Sequence, residues 1–576
     1  MAEGGRGDAP REGPPGAPPD AVSIAEARRR WIRFRAEVWL TLAEVRGQRG
    51  RVALLRRLRP GSPAFRVVTG VAGPLLALRR RLRASGNAPT TARSFPLGAE
   101  PPASVPRLEA AVNDVATLVI DGDDPTSAIA RANDLVAGDG WLLVLDAGDR
   151  LLAGALNLMA FTGARYDAHV VFGDQRTLDP SGSVTAVARP RSAGWVSLLS
   201  YDATGRALLF SRAALRGVGG FDPAAGWAFR HDAVVRLVEA GATVGSVAEA
   251  VVVAAPEDPR YAAALPGVTA AALRRCAGGG RAELDDVTPG LVRWRVDPPS
   301  SWPRVSIVIP TRDRLDLLAP CLAELETRTT YPDYEVVIVD NDSRESATKR
   351  FFTETRHRVV AAPGEFNYAR VINRGVAAST GDVVVTLNND VTITTDDWLE
   401  QMVGVASLPG VGIVGVYLED PAGHSLHEGV AIAPYPQHLR RDRNYVVPDA
   451  FLGATREVSA VTGACQMVRR SLFEELGGLD ETLAVVHNDT DFCLRAQRLG
   501  HRVVYVASVR LVHAESSSRG RLTPPADIER FIARWDVFGS LGDPWFPARW
   551  ELIGDVIRWR RRGEGADREA GSAARA

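Results

Sequence analysis

VVVTLNND, residues 383–390, is an unbroken β-branched run that stops abruptly at three hydrogen-bonding side chains. Two earlier segments follow the same plan, VSIVIPTRDR from Val305 and VVIVDNDS from Val336. A strand covered on both faces reads as continuous apolar residues, as the strands of a parallel α/β sheet do, and polar residues at its carboxyl end sit where such sheets bind ligands. A fourth segment, HNDTDFCLRAQRLGHRVVYVASVRLVH from His487, supplies an amphipathic helix ending at Gly500 and then a strand ending in His513.

Each motif has a bland reading beside a functional one. Asp340 and Asn341 could hydrogen-bond a planar polar ligand such as a nucleotide base, or only cap a strand-ending turn. Asn388, Asn389 and Asp390 are hard oxygen ligands suited to Mg²⁺ or Mn²⁺ shared with phosphate oxygens, or a plain turn. Asp489 and Asp491 stand two apart, so on a helix they do not share a face; one can point into a cleft while the other caps the N-terminus. His513, alone at a strand end, is by itself more often structural. The ordered set within one α/β unit is what defines a candidate site.

With these motifs in hand, the chain resembles the family 2 glycosyltransferases of the GT-A, nucleotide-diphospho-sugar-binding fold, bacterial rhamnan or O-antigen synthesis type. The matching residues are VSIVIPTRDR, DNDS, GEFNYARVINRGVAASTGDVVVTLNNDV from Gly364, SAVTGACQMVRRSLFEELGGLDE from Ser459, HNDTDFCLR and VRLVHAESSSRG, over about residues 300–525. The resemblance implies that Pro310, Thr311, Arg312, Asp340 and Asn341 line the nucleotide pocket. It puts Arg370 and Asn373 beside the ribose or diphosphate, with Asn388 and Asn389 on the donor. Asn389 and Asp390 take the metal-motif position, and His513 completes the shell around Mg²⁺ or Mn²⁺. Asp489 matches the catalytic base, and Gly463, Ala464 and Asp491 fall on the acceptor side. Two departures stand out: the metal motif is NND instead of two aspartates, and Asn488-Asp489 replaces Glu-Asp.

The implied chemistry is coherent. A sugar hydroxyl needs a carboxylate to take its proton as the new bond forms. A departing nucleoside diphosphate needs positive charge, from a divalent cation and from Arg519 in the SSSRG loop. One base and in-line displacement imply an inverting transferase that uses a UDP- or dTDP-linked sugar donor and a cell-surface or lipid-linked glycan acceptor. The alternative is a non-catalytic glycan-binding or scaffold protein of a polysaccharide assembly complex, favoured by NND. A nucleotidyltransferase would need a lysine near the phosphates, and Lys349 is the chain's only one.

The remainder of the 576 residues contains an internal repeat. SRAALRGVGGFDPAAGWAFRHDAVVRLVEAGATVGSVAEAVVV, from Ser211, parallels the stretch from Val468, and WLLVLDAGDRL, from Trp141, parallels VVTLNNDVTI. On this alignment Asp146 and Asp149 fall at the metal motif and Asp232 at Asp489. The expected architecture is therefore α/β, two GT-A-like domains with mixed, mostly parallel sheets, the N-terminal one degenerate. The expected segments are a disordered 1–23, a basic helical extension at 24–100, the degenerate domain at 105–256 and a linker at 257–303. The catalytic domain follows at 304–545 and a tail at 546–576.

Composition sets limits. Formal net charge is zero, so bulk attraction to nucleic acid is not expected. Between Ile24 and Arg83, 16 arginines face 3 glutamates, interleaved with Trp31, Phe34 and Trp39. Such a helix can make peripheral contact with an anionic membrane or pack on its own domain. No run is long enough to span a bilayer and no secretory signal is evident. Four widely spaced cysteines without CxxC fit a reducing, cytoplasmic setting, peripheral on the inner membrane face if the basic helix binds lipid.

Overall fold

The computed structural model describes residues 115–558, apart from 123, 179–183, 433–435, 442–446, 515–523, 542, 546–550 and 554–555. The expected disordered and basic segments before residue 115, and Arg519, lie outside the described residues.

Two mixed sheets organise the chain, each flanked by helices. The N-terminal sheet is built from β1 (Val115–Ile120), β2 (Trp141–Asp146), β3 (Arg150–Leu151), β4 (Val170–Leu178), β5 (Val184–Val187), β6 (Leu208–Ser211) and β7 (Val244–Ala254). Its order is β1-β2-β6-β4-β7-β3, with β5 on β4. A hairpin of β8 (Gly280–Leu284) and β9 (Val292–Val296) follows. The C-terminal sheet then begins with β10 (Val305–Thr311), β11 (Tyr334–Asp340), β12 (Arg358–Ala361), β13 (Val383–Leu387), β14 (Val391–Ile393), β15 (Val411–Glu419) and β16 (Ser425–His427). After the small hairpin β17 (Val430–Ile432) and β18 (Pro436–His438) come β19 (Arg456–Glu457), β20 (Cys465–Arg469) and β21 (Arg502–His513). Its order is β12-β11-β10-β13-β20-β15-β21-β14, with β16 on β15 and β19 on β21.

The internal repeat is structural. Strand for strand, β1-β2-β6-β4-β7-β3 repeats β10-β13-β20-β15-β21-β14. Both paths run parallel, antiparallel, antiparallel, parallel, antiparallel. Among the described residues the N-terminal sheet has no counterpart of β11 and β12, the strands that carry Asp340 and its neighbours in the C-terminal sheet.

The local sequence explains the elements that position the site. All five residues of β13 are buried, as its unbroken apolar run requires. Helix Tyr368–Ala378 starts at Asn367, whose side chain accepts from Arg370 N. It buries Ala369, Val371, Ile372, Gly375 and Val376. Gly375 allows the close approach, since a Cβ there would stand 2.3 Å from Val308 and 2.6 Å from Val339 side-chain carbons. The segment between the two sheets is helical over much of its length. Asp258 caps a helix over Pro259–Ala277 with proline at its first position, and Tyr261, Leu265, Val268, Ala272 and Leu273 form its buried face.

One hydrophobic core crosses both sheets, joining Phe210, Phe221 and Phe229 to Val385, Trp398 and Leu511 through Leu291 and Trp294. A polar seam crosses with it. Trp294 Nε1 donates to Ser200 Oγ, and Ser200 Oγ donates to Thr455 O. In the C-terminal half, the buried Asp543 accepts from Ile432 N and Trp545 N. Burial pushes its carboxyl up to about 6 from 3.8. The folded state therefore holds this proton more tightly than the unfolded chain, and the contribution to stability is full below about pH 4 and lost as pH rises through 6. Asp543→Asn should flatten this part of the stability–pH curve, a change on the order of 2 kcal/mol between pH 4 and 7 in urea titrations.

Candidate active site

The site lies at the carboxyl ends of β10, β11 and β13 and is closed by the turn before β20 and the helix Asn488–Arg498. Its centre is a backbone turn. Gly463 N donates to Asp489 Oδ2 at 2.9 Å, and Gly463 O accepts from Thr386 Oγ1 and Tyr368 OH, each at 2.8 Å. Ala464 O accepts from Asn388 N at 3.0 Å. One turn thus ties the half-buried carboxylate of Asp489 to the NND segment. Glycine allows this close approach, because a Cβ at residue 463 would stand 2.9 Å from Tyr368 OH. Asp489 Oδ1 is held by Thr490 N at 2.6 Å.

On the other side of the turn, Asp390 Oδ1 and His513 Nε2 stand 3.1 Å apart, both on largely buried side chains. They are brought together by the pairing of Val391 with His513 across β14 and β21. The approach lacks hydrogen-bond geometry, and Asp390 Oδ1 is buried without a hydrogen-bond partner. Two electron-pair donors facing each other in this way fit adjacent ligands of one cation. Mg²⁺ commonly takes one or two protein ligands and completes its shell with water and phosphate. Among the described residues no three His, Cys, Asp or Glu side chains converge. The amide next to this pair is that of Asn388, with Nδ2 3.3 Å from His513 Nε2, whereas Asn389 Nδ2 donates to Thr311 Oγ1 at 3.0 Å. Asn388 thus stands beside the Asp390–His513 pair where Asn389 was expected, and Asn389 links β10 to the NND turn.

The nucleotide-side residues separate into two groups. Pro310, Thr311 and Asp340 end adjacent parallel strands, with Thr311 in register with Asp340, and Arg312 is exposed beside them. Asp340 Oδ1 accepts from Ser343 N. Asn341 is buried and donates to Ala362 O at 2.7 Å, so it braces a loop. Arg370 donates to Pro363 O and Glu365 O, both at 2.7 Å. Asn373 brackets Leu479, accepting from its N–H and donating to its carbonyl. These last three, expected to touch the donor, bond mostly to backbone, although Asn341 Oδ1 is buried without a partner and Asn373 Nδ2 also donates to Glu481 Oε1.

Asp491 is also corrected. It is fully buried, and its carboxylate is saturated by Arg495 Nε at 2.8 Å, Arg534 Nη1 at 2.7 Å and Trp535 Nε1 at 2.9 Å, which leaves nothing for an acceptor. Residues not anticipated as parts of the site are Thr386, Tyr368 and Asp313, the last accepting from Arg344 N and Glu345 N. Each acts across 31 to 95 residues of chain, beyond any local pattern.

The repeat gives an internal comparison. Arg236 binds Asp232 and the carbonyls of Val218 and Gly220, just as Arg495 binds Asp491 and those of Leu476 and Gly478. Asp232 therefore corresponds to Asp491, not to Asp489, and Arg230 occupies the Asp489 position. By strand register, Gly148 stands for Asp390 and Ala254 for His513. Asp146 and Asp149 are tied up by arginines. Arg230 Nη1 reaches both Asp146 oxygens at 2.7 Å, and Arg206 bonds Asp149 at 2.8 Å. Burial pushes the Asp149 carboxyl above its ordinary value despite Arg206. Among the described residues, the N-terminal sheet has no carboxylate at the position of Asp489 and no counterpart of the Asp390–His513 pair.

Residues 306–477 match the family described as glycosyl transferase family 2, and residues 437–550 match glycosyl transferase family group 2. An uncharacterized protein of Sinorhizobium fredii, y4gI, is 37% identical over 41% of this chain and 27% of its own length. The O-antigen biosynthesis protein RfbC of Myxococcus xanthus is 31% identical over 74% of this chain and 35% of its own length. An N-acetylglucosaminyl-diphospho-decaprenol L-rhamnosyltransferase of Mycobacterium tuberculosis is 26% identical over 41% of this chain and 84% of its own. The chain thus spans about a third or less of the first two relatives. No described helix is long and apolar enough to cross a membrane. Asp390 and the Gly463 turn lie in the stretch that matches glycosyl transferase family 2, and Asp489 and His513 lie in the stretch that matches glycosyl transferase family group 2.

Proposed function

We propose that the C-terminal sheet catalyses inverting transfer of a sugar from a nucleotide-diphospho donor to a hydroxyl of a cell-surface or lipid-linked glycan. The observation that carries this reading is the Gly463 turn, which couples Asp489 to the Asn388–Asp390 segment through hydrogen bonds. The family and the names of the relatives support the donor and acceptor classes.

Asp489 is held by N–H donors on both oxygens and is half-buried, so its carboxylate is fixed and still accessible to an acceptor. In the proposed step it takes the acceptor hydroxyl proton while the oxygen bonds to the anomeric carbon. The bond from that carbon to the diphosphate breaks, and the nucleoside diphosphate leaves with the electron pair. Attack opposite the leaving group inverts the centre. Asp390 and His513, with Asn388 beside them, would hold the divalent cation, which would supply Lewis-acid stabilisation of the departing diphosphate. The N-terminal sheet, without a base, serves as scaffold to the catalytic one.

The test is release of nucleoside diphosphate from UDP-, dTDP- and GDP-sugars with and without Mg²⁺ or Mn²⁺, glycan acceptors present. Turnover of one donor class identifies the nucleotide, and silence with all of them would favour a non-catalytic glycan-binding scaffold. Asp390→Ala should weaken cation binding about tenfold or more, seen directly as loss of Mn²⁺ binding by electron paramagnetic resonance in the presence of the donor nucleotide.

A further inference from the structure

The helix Pro525–Leu541 grips the segment that carries Asp489 with five side chains. Asp527 Oδ2 accepts from Val485 N at 2.8 Å and Val486 N at 3.1 Å. Arg530 Nη1 donates to Thr482 O at 2.7 Å. The Phe531 ring packs on His487 with centroids 4.8 Å apart. Arg534 bridges Asp480 at 2.6 Å and Asp491 at 2.7 Å, and Trp535 Nε1 reaches the same Asp491 oxygen. Phe531 and Trp535 share a small apolar cluster with Ile432, Leu483 and Leu494.

What is gripped is a backbone that would not hold its shape unaided. His487 has φ +64°, a left-handed conformation costly for a residue with a Cβ, and it lies two residues before Asp489 at the start of helix Asn488–Arg498. The Val485 and Val486 amides just before it point to one buried carboxylate, that of Asp527, 2% exposed. Upstream, the bonds of Asn367 Nδ2 to Glu481 O and of Asn373 to Leu479 anchor the segment's other end to helix Tyr368–Ala378.

We propose that helix Pro525–Leu541 is a clamp that sets the position of Asp489, with Asp527 as its positioning residue. The proposal rests on the reading of Asp489 as base. Loosening residues 485–487 lets the left-handed turn at His487 relax and swings the start of the following helix. A shift near 1 Å at a catalytic group costs on the order of a hundredfold in rate. Donor binding, which uses the ends of β10, β11 and β13, stays as it was.

The test compares the full chain with Asp527→Ala, Asp527→Asn and Trp535→Phe. Amide hydrogen exchange over residues 480–491 reads the clamp directly, and kcat and donor KM for sugar transfer read its consequence. Asp527→Ala should speed exchange at 485–486 by about tenfold or more and lower kcat by about tenfold to a hundredfold, with donor KM within about threefold. Asp527→Asn keeps an oxygen for the two amides and should lie near the wild type. Should Asp527→Ala fail to fold, Trp535→Phe, which removes one donor from Asp491 and keeps a ring, should give the same pattern at smaller amplitude. Unchanged exchange, faster exchange with unchanged kcat, or Asp527→Asn as impaired as Asp527→Ala would overturn the clamp. A wild-type chain inert toward every donor would sink the base reading alone, and exchange would still decide whether the helix holds the segment.

Discussion

Asp489→Asn is expected to lower the rate of sugar transfer by roughly 10²–10⁴ while leaving donor affinity and the folded state in place. The side chains are nearly the same size, and the amide oxygen can still accept from Gly463 N, the bond that ties this position to the turn. What disappears is the basic lone pair proposed to take the acceptor proton. The loss should therefore fall on kcat, with donor KM little changed, in initial-rate measurements at saturating acceptor. A variant within about threefold of wild type would show that another group takes the proton. The internal repeat makes the same point, because Arg230 stands at the equivalent position in the N-terminal sheet and bonds Asp146, so a cation there can neither accept a proton nor release the acid beside it.

The second large effect is structural. Glu457, 1% exposed, reaches from β19 into the N-terminal half and accepts from Val196 N at 2.8 Å, Ser197 N at 2.8 Å and Ser197 Oγ at 2.6 Å. It thereby satisfies the first free amides of helix Trp195–Ser200, at a spot so close that a Cβ on Gly194 would stand 2.1 Å from a Glu457 oxygen. Glu457→Ala would strand three buried donors at once and should cost about 3–5 kcal/mol. The check is the midpoint of urea unfolding followed by circular dichroism, where Glu457→Gln, which keeps one acceptor oxygen, should fall between the two. Because β19 pairs with β21, the strand that ends in His513, loosening this joint should also weaken the site. A midpoint unchanged in Glu457→Ala would mean that the shared apolar core alone holds the halves together.

The amino-acid sequence by itself determined the parts whose signals are local. The β-branched runs at 305, 336 and 383 become three parallel strands of one sheet, and the polar residues after them gather at its carboxyl end. The repeat was visible as similarity and returns as the same strand order and the same pairing directions. The spacing of Asp489 and Asp491, two apart on one helix, required that they face different ways. Which of them faces the site could not be read from that spacing, because the answer lies in Arg534 and Trp535, 43 and 44 residues on, which saturate Asp491. The same holds for Asn388 and Asn389, where strand pairing at His513 and the hydroxyl of Thr311 decide which amide meets which partner. In the repeat, the similarity put Asp232 at the position of the base, and only the carbonyls gripped by Arg236 and Arg495 show that the register is offset by two residues. Periodicity and composition are properties of neighbours along the chain, whereas the protonation partner, the ligand pair and the joint between halves are contacts between residues far apart in sequence, and those exist only once the fold has formed.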